Sequence, residues 1–305
     1  MNSCPGKADG PEPAAAESKD ESKSPVAWQP LTPGGVAAFA GASWGRLLLV
    51  QGIIALLAAG SLVWFVHEAW YPVITEAISR LPEQGEIRAG RLDWFGDSPV
   101  LLAEGPFLAF SVDLDHVGEA RSPAHVQIEF GRTEVQVFSL LGFVRVGYAA
   151  ERAVAFNHGD VAPWWGAWAP AFLAIVSGLV VAGLMVSWML LATLYCVPAW
   201  LIGFFGNREL GLGGSWRLAG ASLMPGALFM VAAIILYGLG GLDLVRLGAA
   251  AAAHLVIGWV YLLVSPTTVP RHAQAEATKL NPFIPQPAEQ ASPASKEQEP
   301  KKPGD

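Results

Sequence analysis

PAFLAIVSGLVVAGLMVSWMLLATLYCVPAWLIGFF, from Pro170 to Phe205, is the stretch on which the fold turns. It lies within Val161 to Asn207, a reach without one Asp, Glu, Lys or Arg. An unpaired charge in hydrocarbon costs several kcal/mol, so so long an uncharged apolar run belongs in a membrane. At about 1.5 Å per residue the quoted segment makes a helix of roughly 54 Å, against a hydrocarbon core of about 30 Å. It is too long for one upright span and has no turn signal in its middle. The sequence therefore predicts a long helix over 163–205, bent near Pro198, its lower part continuing toward the cytoplasmic face. A fifth span between 190 and 205 is the alternative.

Working outward, the first span is expected at Leu47 to Val66, where only Gln51 is strongly polar. A cleaved signal peptide does not fit, because a long polar tail precedes it and Trp64-Phe65-Val66-His67 offers no small-residue cleavage site. Residues 35–46 mix small residues with Phe39 and Trp44 and end on Arg46, an interfacial entry. Two further spans are expected at Leu218 to Leu242, kinked by Pro225, and at Leu247 to Val264, with a loop over 206–217 before them. Residues 1–34 and 265–305 are rich in Pro, Ala, Glu, Ser and Lys without an apolar period, and read as disordered tails.

The segment 67–162 is of another kind. Short apolar runs alternate with turn residues at Glu86–Asp93, Pro106–Asp113, Ala124–Phe130, Glu134–Phe138 and Phe143–Tyr148. Period-two stretches such as Val126-Gln127-Ile128-Glu129-Phe130 predict a half-buried antiparallel sheet, with a hairpin at Gly131-Arg132. A short helix over Trp70–Leu81, stopped by Pro82, leads into it. The fold class is thus an α-helical integral membrane protein of four transmembrane helices, with a small β-rich extracytoplasmic domain inserted between helices one and two.

Composition agrees. The chain is 52% hydrophobic and only 15% charged, where a soluble domain has about a quarter charged residues. Its net charge of −7 is carried by the inserted segment, with fourteen acidic and seven basic residues between His67 and Ala162. That excludes a basic nucleic-acid surface. Arg46, Arg208, Arg217 and Arg271 flank span ends on one side, so the positive-inside rule places both termini in the cytoplasm and 67–162 outside. Trp164, Trp165 and Trp168 fall at the outer interface and Trp200 near the inner one. The two cysteines, Cys4 and Cys196, make no disulfide framework.

Candidate chemistry is sparse. Gly41-Ala42-Ser43-Trp44-Gly45 has the spacing of a nucleophile elbow, but it precedes a span instead of following a strand, and reads as small residues at a membrane entry. His254 is the one ionisable group inside a span. With Gln51 it forms a possible intramembrane polar site, set against a packing role through a hydrogen bond to Ser222 or another hydroxyl. His116, His125 and His158 share the insert with Asp113, Asp115 and Asp160, without the spacing of a ligand motif, and read as solvated surface residues. Gly211-Leu212-Gly213-Gly214-Ser215 lacks the Lys of a phosphate loop. Ala55/Ala59 and Gly248/Ala252 have the spacing of close helix packing. Neither a metal nor another cofactor is expected, and no catalytic constellation is found.

In order along the chain, several short patterns resemble one family. They are Leu31-Thr32-Pro33 with Ala37-Ala38-Phe39 and Trp44-Gly45-Arg46; Leu81-Pro82 with Ile87-Arg88-Ala89-Gly90-Arg91-Leu92 and Pro99; Phe110-Ser111-Val112-Asp113 with Asp115-His116-Val117-Gly118; and Asn207-Arg208-Glu209-Leu210 with Trp216-Arg217-Leu218-Ala219. From about residue 30 to 270 the chain is similar to a bacterial multi-pass membrane family of unknown function, some of whose members are labelled maltodextrin-utilisation proteins. The resemblance implies no activity, cofactor or catalytic residue.

The sequence thus points to a non-enzymatic envelope protein of the bacterial inner membrane. Its partners are the lipid bilayer and a membrane or envelope protein, or a second copy, engaged through the outer domain. The alternative is a membrane subunit of a transport or mechanotransmission complex, for which Arg208 and Arg217 would form a cytoplasmic coupling loop. An intramembrane enzyme built on His254 is a third reading, weakened by the want of a paired group.

Overall fold

The structure, a computed structural model, describes residues 28–140 and 142–271. The tail readings for residues 1–27 and 272–305, with Cys4, lie outside the described residues. Four helical segments are long and apolar enough to cross a membrane: Trp44–Ser79, His158–Phe205, Leu212–Gly238 and Leu244–Thr268. Two small sheets lie in sequence between the first and the second.

Helix α1 (Pro33–Ala38) is capped by Thr32 and runs into a tight turn over Phe39–Gly41. Ser43 then caps α2 (Trp44–Phe65), its hydroxyl accepting from the N–H of Arg46 at 3.3 Å. The sequence separates the first span from the short helix after it. In the structure one π turn, Val66–Trp70, joins α2 directly to α3 (Tyr71–Ser79), giving 36 continuous residues. The wider turn absorbs one extra residue without breaking the hydrogen-bond ladder.

The insert differs from its expected strands at three places. Glu86–Asp93 is a hairpin, β1 (Gly85–Arg88) with β2 (Arg91–Trp94), because Ala89 and Gly90 both take positive φ, the conformation a two-residue turn requires. Pro106–Asp113 is preceded by a strand of its own, so β3 (Val100–Glu104) and β4 (Leu108–Val112) pair antiparallel around Gly105. The third difference is topological. β4 and β5 (Val126–Phe130) run parallel, and residues 113–125 make the crossover that parallel pairing demands. β5, β6 (Glu134–Ser139) and β7 (Gly142–Gly147) continue antiparallel, with the expected turn at Gly131 closed by its N–H on Glu134 O. The sheet orders are β3-β4-β5-β6-β7 and, with β8 (Val154–Ala155), β2-β1-β8.

The core of this unit packs Val73, Ala77 and Leu81 of the α3 region against Leu92, Leu102, Leu108 and Val112. The other sheet face is covered by the crossover. Gln127, Glu129 and Gln136 are buried, more so than the apolar residues that alternate with them. The period-two pattern is real, but both faces are covered.

Asn157 caps α4 (His158–Phe205), accepting from Asp160 N at 2.9 Å. Its 48 residues stay helical through Pro163, Pro170 and Pro198, so residues 190–205 are no separate span. At about 1.5 Å per residue the helix is roughly 72 Å long. Its first turns stand beside α3, where Tyr71 Oη donates to Ala169 O and His158 Nδ1 lies against Ile78 O. Helix α5 (Leu212–Ser222) breaks at Leu223 into α6 (Met224–Gly238), with Pro225 in its first turn, where no N–H is missed. Asp243 caps α7 (Leu244–Val264).

At the end opposite the sheets the chain forms a cap. Val36 and Phe39 are wholly buried there, and Tyr261 Oη donates to Leu31 O. Chain order continues through a tight turn at Ser265–Thr268 to Val269, which is 4% exposed, where composition starts the tail at 265. Apolar contact with α1 and α4 is what orders those residues.

Candidate functional site

The crossover over residues 113–125 carries most of the polar chemistry of the insert. Its anchor is Asp113, fully buried at the end of β4, whose Oδ2 accepts from Gly118 N at 2.6 Å. Burial alone would raise this carboxyl's pKa. The N–H groups of Gly118, Val117 and Asp115 and the nearby His116 outweigh burial and hold it below its usual value. Three residues on, His116 takes a positive φ of 54°, and its ring lies over Gly131, where a Cβ would meet it at 2.4 Å. A larger residue there would have to push the ring off Glu129.

His116 Nδ1 lies 2.7 Å from Oε1 of Glu129, which is 1% exposed. His116 Nε2 lies 3.2 Å from the Gln136 amide nitrogen, which also donates to Glu134 Oε1 at 2.9 Å. A proton on Nδ1 donates to Glu129, and the Gln136 amide donates to Glu134 beside the ring. Arg145 Nε closes the row, 3.6 Å from Glu134. Farther along, Gln127 donates to Ser111 Oγ and Ala120 O and accepts from Ser122 N, pinning the far end of the crossover. Glu129 Oε2 and Asp113 Oδ1 are buried without a hydrogen-bond partner among the described residues. Burial, and then the charge of Glu134, pushes the Tyr148 hydroxyl up, so it remains a neutral donor to Gly131 O.

This network ties down a loop. Among the described residues no group of three His, Cys, Asp or Glu is placed to hold an ion. His116, His125 and His158 have separate partners; His125 and His158 are half-buried, while His116 stays exposed as its sequence suggests. His116 is on Glu129, His125 Nδ1 is 2.6 Å from Tyr237 Oη, and His158 is on Ile78 O.

Above the network is an exposed tip. Phe95, 69% exposed, and Val117, 60% exposed, sit on two loops joined by Leu114 N donating to Ser98 Oγ at 3.0 Å. Nothing in local sequence distinguishes either from a core residue, and neither is legible as a site without the fold.

Within the helices the two candidate polar groups do not meet. Gln51, 2% exposed, donates from α2 to Gly220 O on α5 at 3.2 Å. His254 lines a cavity of about 290 Å³ with Leu62, Leu184, Trp188, Tyr195 and Trp259, to which Gln51 does not contribute. Its Nδ1 faces Ala251 O of its own helix, and Ser222 bonds instead to Ala219 O. Across the mouth of the cavity, Trp259 Nε1 donates to Tyr195 Oη at 2.9 Å.

Arg208 and Arg217 point into the cap. Arg217 donates from Nε and Nη2 to Ala40 O and lies 5.6 Å from the centre of the Trp44 ring. Arg208 donates to Val269 O at 2.7 Å, and its backbone bridges to Arg271. Beside them the last turn of α4 leaves Phe204 and Phe205 exposed around a recess shared with Trp200 and Glu209. The Ser43 of the elbow-like pattern is a helix cap. No family model, curated protein or solved structure matches the chain.

Proposed function

We propose that the protein is a non-enzymatic envelope sensor or scaffold of a bacterial inner membrane, whose sheet domain faces out of the cytoplasm and engages a partner at its tip. The gathering of Arg46, Arg208, Arg217 and Arg271 at the end opposite the sheets supports a cytoplasmic position for both termini. The observation that carries the reading is α4. It leaves the small sheet just after β8 and runs unbroken to the cap, so anything that tilts the domain tilts a rod reaching the other face. The joined α2–α3 helix is a second such rod. The family resemblance of the sequence agrees with a bacterial envelope setting.

One observation favours a second reading, a subunit of a transport or mechanotransmission complex. Phe204 and Phe205, 60% and 79% exposed beside Arg208, form an aromatic foot at the cytoplasmic end of α4 that a soluble subunit could grip. Photo-crosslinking amino acids at Phe95, Val117 and Phe205 in the full chain separate the two in native membranes. A discrete adduct from Phe95 and Val117 is expected. Adducts from Phe205 alone, with an ATPase among them, would replace the first reading by the second.

A further inference from the structure

Hairpin turns are normally polar, yet the sequence between β6 and β7 reads Ser139-Leu140-Leu141-Gly142 and continues Phe143-Val144. Leu140, Phe143, Val144 and Val146 are all more than half exposed. Phe143 and Val144 lie on opposite faces of an edge strand, a position that soluble proteins guard with charge.

The fold says what covers them. The rung joining Leu108, Val126, Ser139 and Gly142 across β4 to β7 is the membrane-side end of the large sheet. Phe107, just before it, packs on Phe65 and Tyr237 at the ends of α2 and α6, and His125 bonds to Tyr237. Leu140 shares a cleft with Asp243, Leu244 and Val245, where α7 enters the membrane. The strands therefore rise from the bilayer surface. At about 3.3 Å per residue, Phe143 and Val144 lie roughly 3 and 7 Å above the Gly142 rung, and Val146 roughly 13 Å above it. The headgroup layer adds only about 5–7 Å to each side of the hydrocarbon. Arg121 sits 3.9 Å from the centre of the Phe138 ring, the cross-strand partner of Phe143, so a cation stands above an apolar foot.

A second copy cannot extend the edge as an antiparallel ladder. Copies in one membrane share an orientation, so their β7 strands rise in the same sense. An isologous antiparallel ladder would need one of them inverted.

We propose that the β6–β7 hairpin is a membrane foot: Leu140, Phe143 and Val144 insert into the leaflet on the domain side, anchoring the sheet edge beside α7. The proposal rests on the membrane reading of the four long helices, and its test keeps the two separable. Single cysteines replace Leu140, Phe143, Val146, Val117 and Leu255 in a Cys4→Ser, Cys196→Ser background. Each carries an environment-sensitive fluorophore, with the full chain in phosphatidylcholine–phosphatidylglycerol vesicles. Labels at 140 and 143 should be blue-shifted and lose fluorescence to nitroxide lipids, whereas those at 146 and 117 should respond to aqueous iodide. Labels at 140 and 143 that behave like the one at 117, or that cross-link copies into dimers while shielded from lipid, overturn the foot. Failure of the label at 255, within α7, to sense lipid overturns the membrane reading instead.

Discussion

Tyr237 Oη lies 2.6 Å from Nδ1 of His125, a hydrogen bond across 112 residues that ties the base of the sheet to the end of α6. Phe65 and Phe107 pack on the same tyrosine, so the contact has a polar and an apolar part that substitutions separate. Tyr237→Phe removes only the hydroxyl and should cost about 1 kcal/mol. Tyr237→Ala removes the ring and should cost about 3–5 kcal/mol. Amide exchange in the full chain should report the second variant as loss of protection around residues 107–112, with α4 unchanged. Uniform loss through the helices would mean that the contact holds the bundle and not the joint.

The crossover should depend on Glu129 more than its partly exposed surroundings suggest. His116→Ala leaves a buried carboxylate without its donor, a loss of about 3 kcal/mol. Part of the loss is backbone, since alanine takes the left-handed conformation at 116 less readily than histidine does. His116→Asn tolerates that conformation and isolates the polar share. Denaturant unfolding of both variants decides it. Equal losses would assign the whole effect to the hydrogen bond.

Acid should act on the same loop through Asp113. Its carboxyl is depressed in the folded state, so the stability it contributes is present above its usual value of 3.8 and is lost as pH falls below that toward the folded pKa. Asp113→Asn should flatten this limb of an acid titration followed by near-ultraviolet circular dichroism, at a cost in stability near neutral pH. An unchanged acid limb in the variant would move the effect to other carboxylates.

How far the sequence leads depends on the size of each signal. A charge-free run such as Val161–Asn207 is legible because one buried charge would cost several kcal/mol, a penalty no local detail reverses. The strands of 124–148 are legible because alternation survives in any sheet. Glu129 is not, for a polar residue alternating with valine looks the same under water as under a crossover loop. The parallel pairing of β4 with β5 is equally silent, being decided by contacts far apart in the chain. The turn at Ala89-Gly90 rests on a single glycine between Arg88 and Arg91, a signal too slight to divide Glu86–Asp93 by sequence alone.

The two intramembrane polar residues should respond differently. Gln51→Leu deletes a bond between helices and leaves Gly220 O with one partner fewer, for which double-mutant data in membranes suggest about 0.6–2 kcal/mol. The Nδ1 contact of His254 stays within its own helix, so His254→Leu removes nothing between helices and should lie within about 0.5 kcal/mol of the parent. Thermal unfolding in mild detergent ranks them. A larger loss at 254 would mean that the cavity wall relies on the imidazole.

Close helix packing offers the sharpest contrast. Sequence spacing marks Gly248 with Ala252, yet a Cβ at Gly248 meets nothing within 4 Å. The close approach is at Gly226, where a Cβ would stand 2.4 Å from the carbonyl oxygen of His254, a backbone atom that cannot swing aside. Gly226→Ala must therefore part α6 from α7 and should cost about 1–3 kcal/mol, as overpacking does. Gly248→Ala adds a methyl to open space and a better helix former, so it should be neutral or stabilising by up to about 1 kcal/mol. Both changes are the same in chemistry and lie on the same helix pair, so detergent unfolding of the two variants isolates geometry. Equal losses would mean that α7 is rotated about its axis relative to this structure, and with it the position of His254 in the cavity.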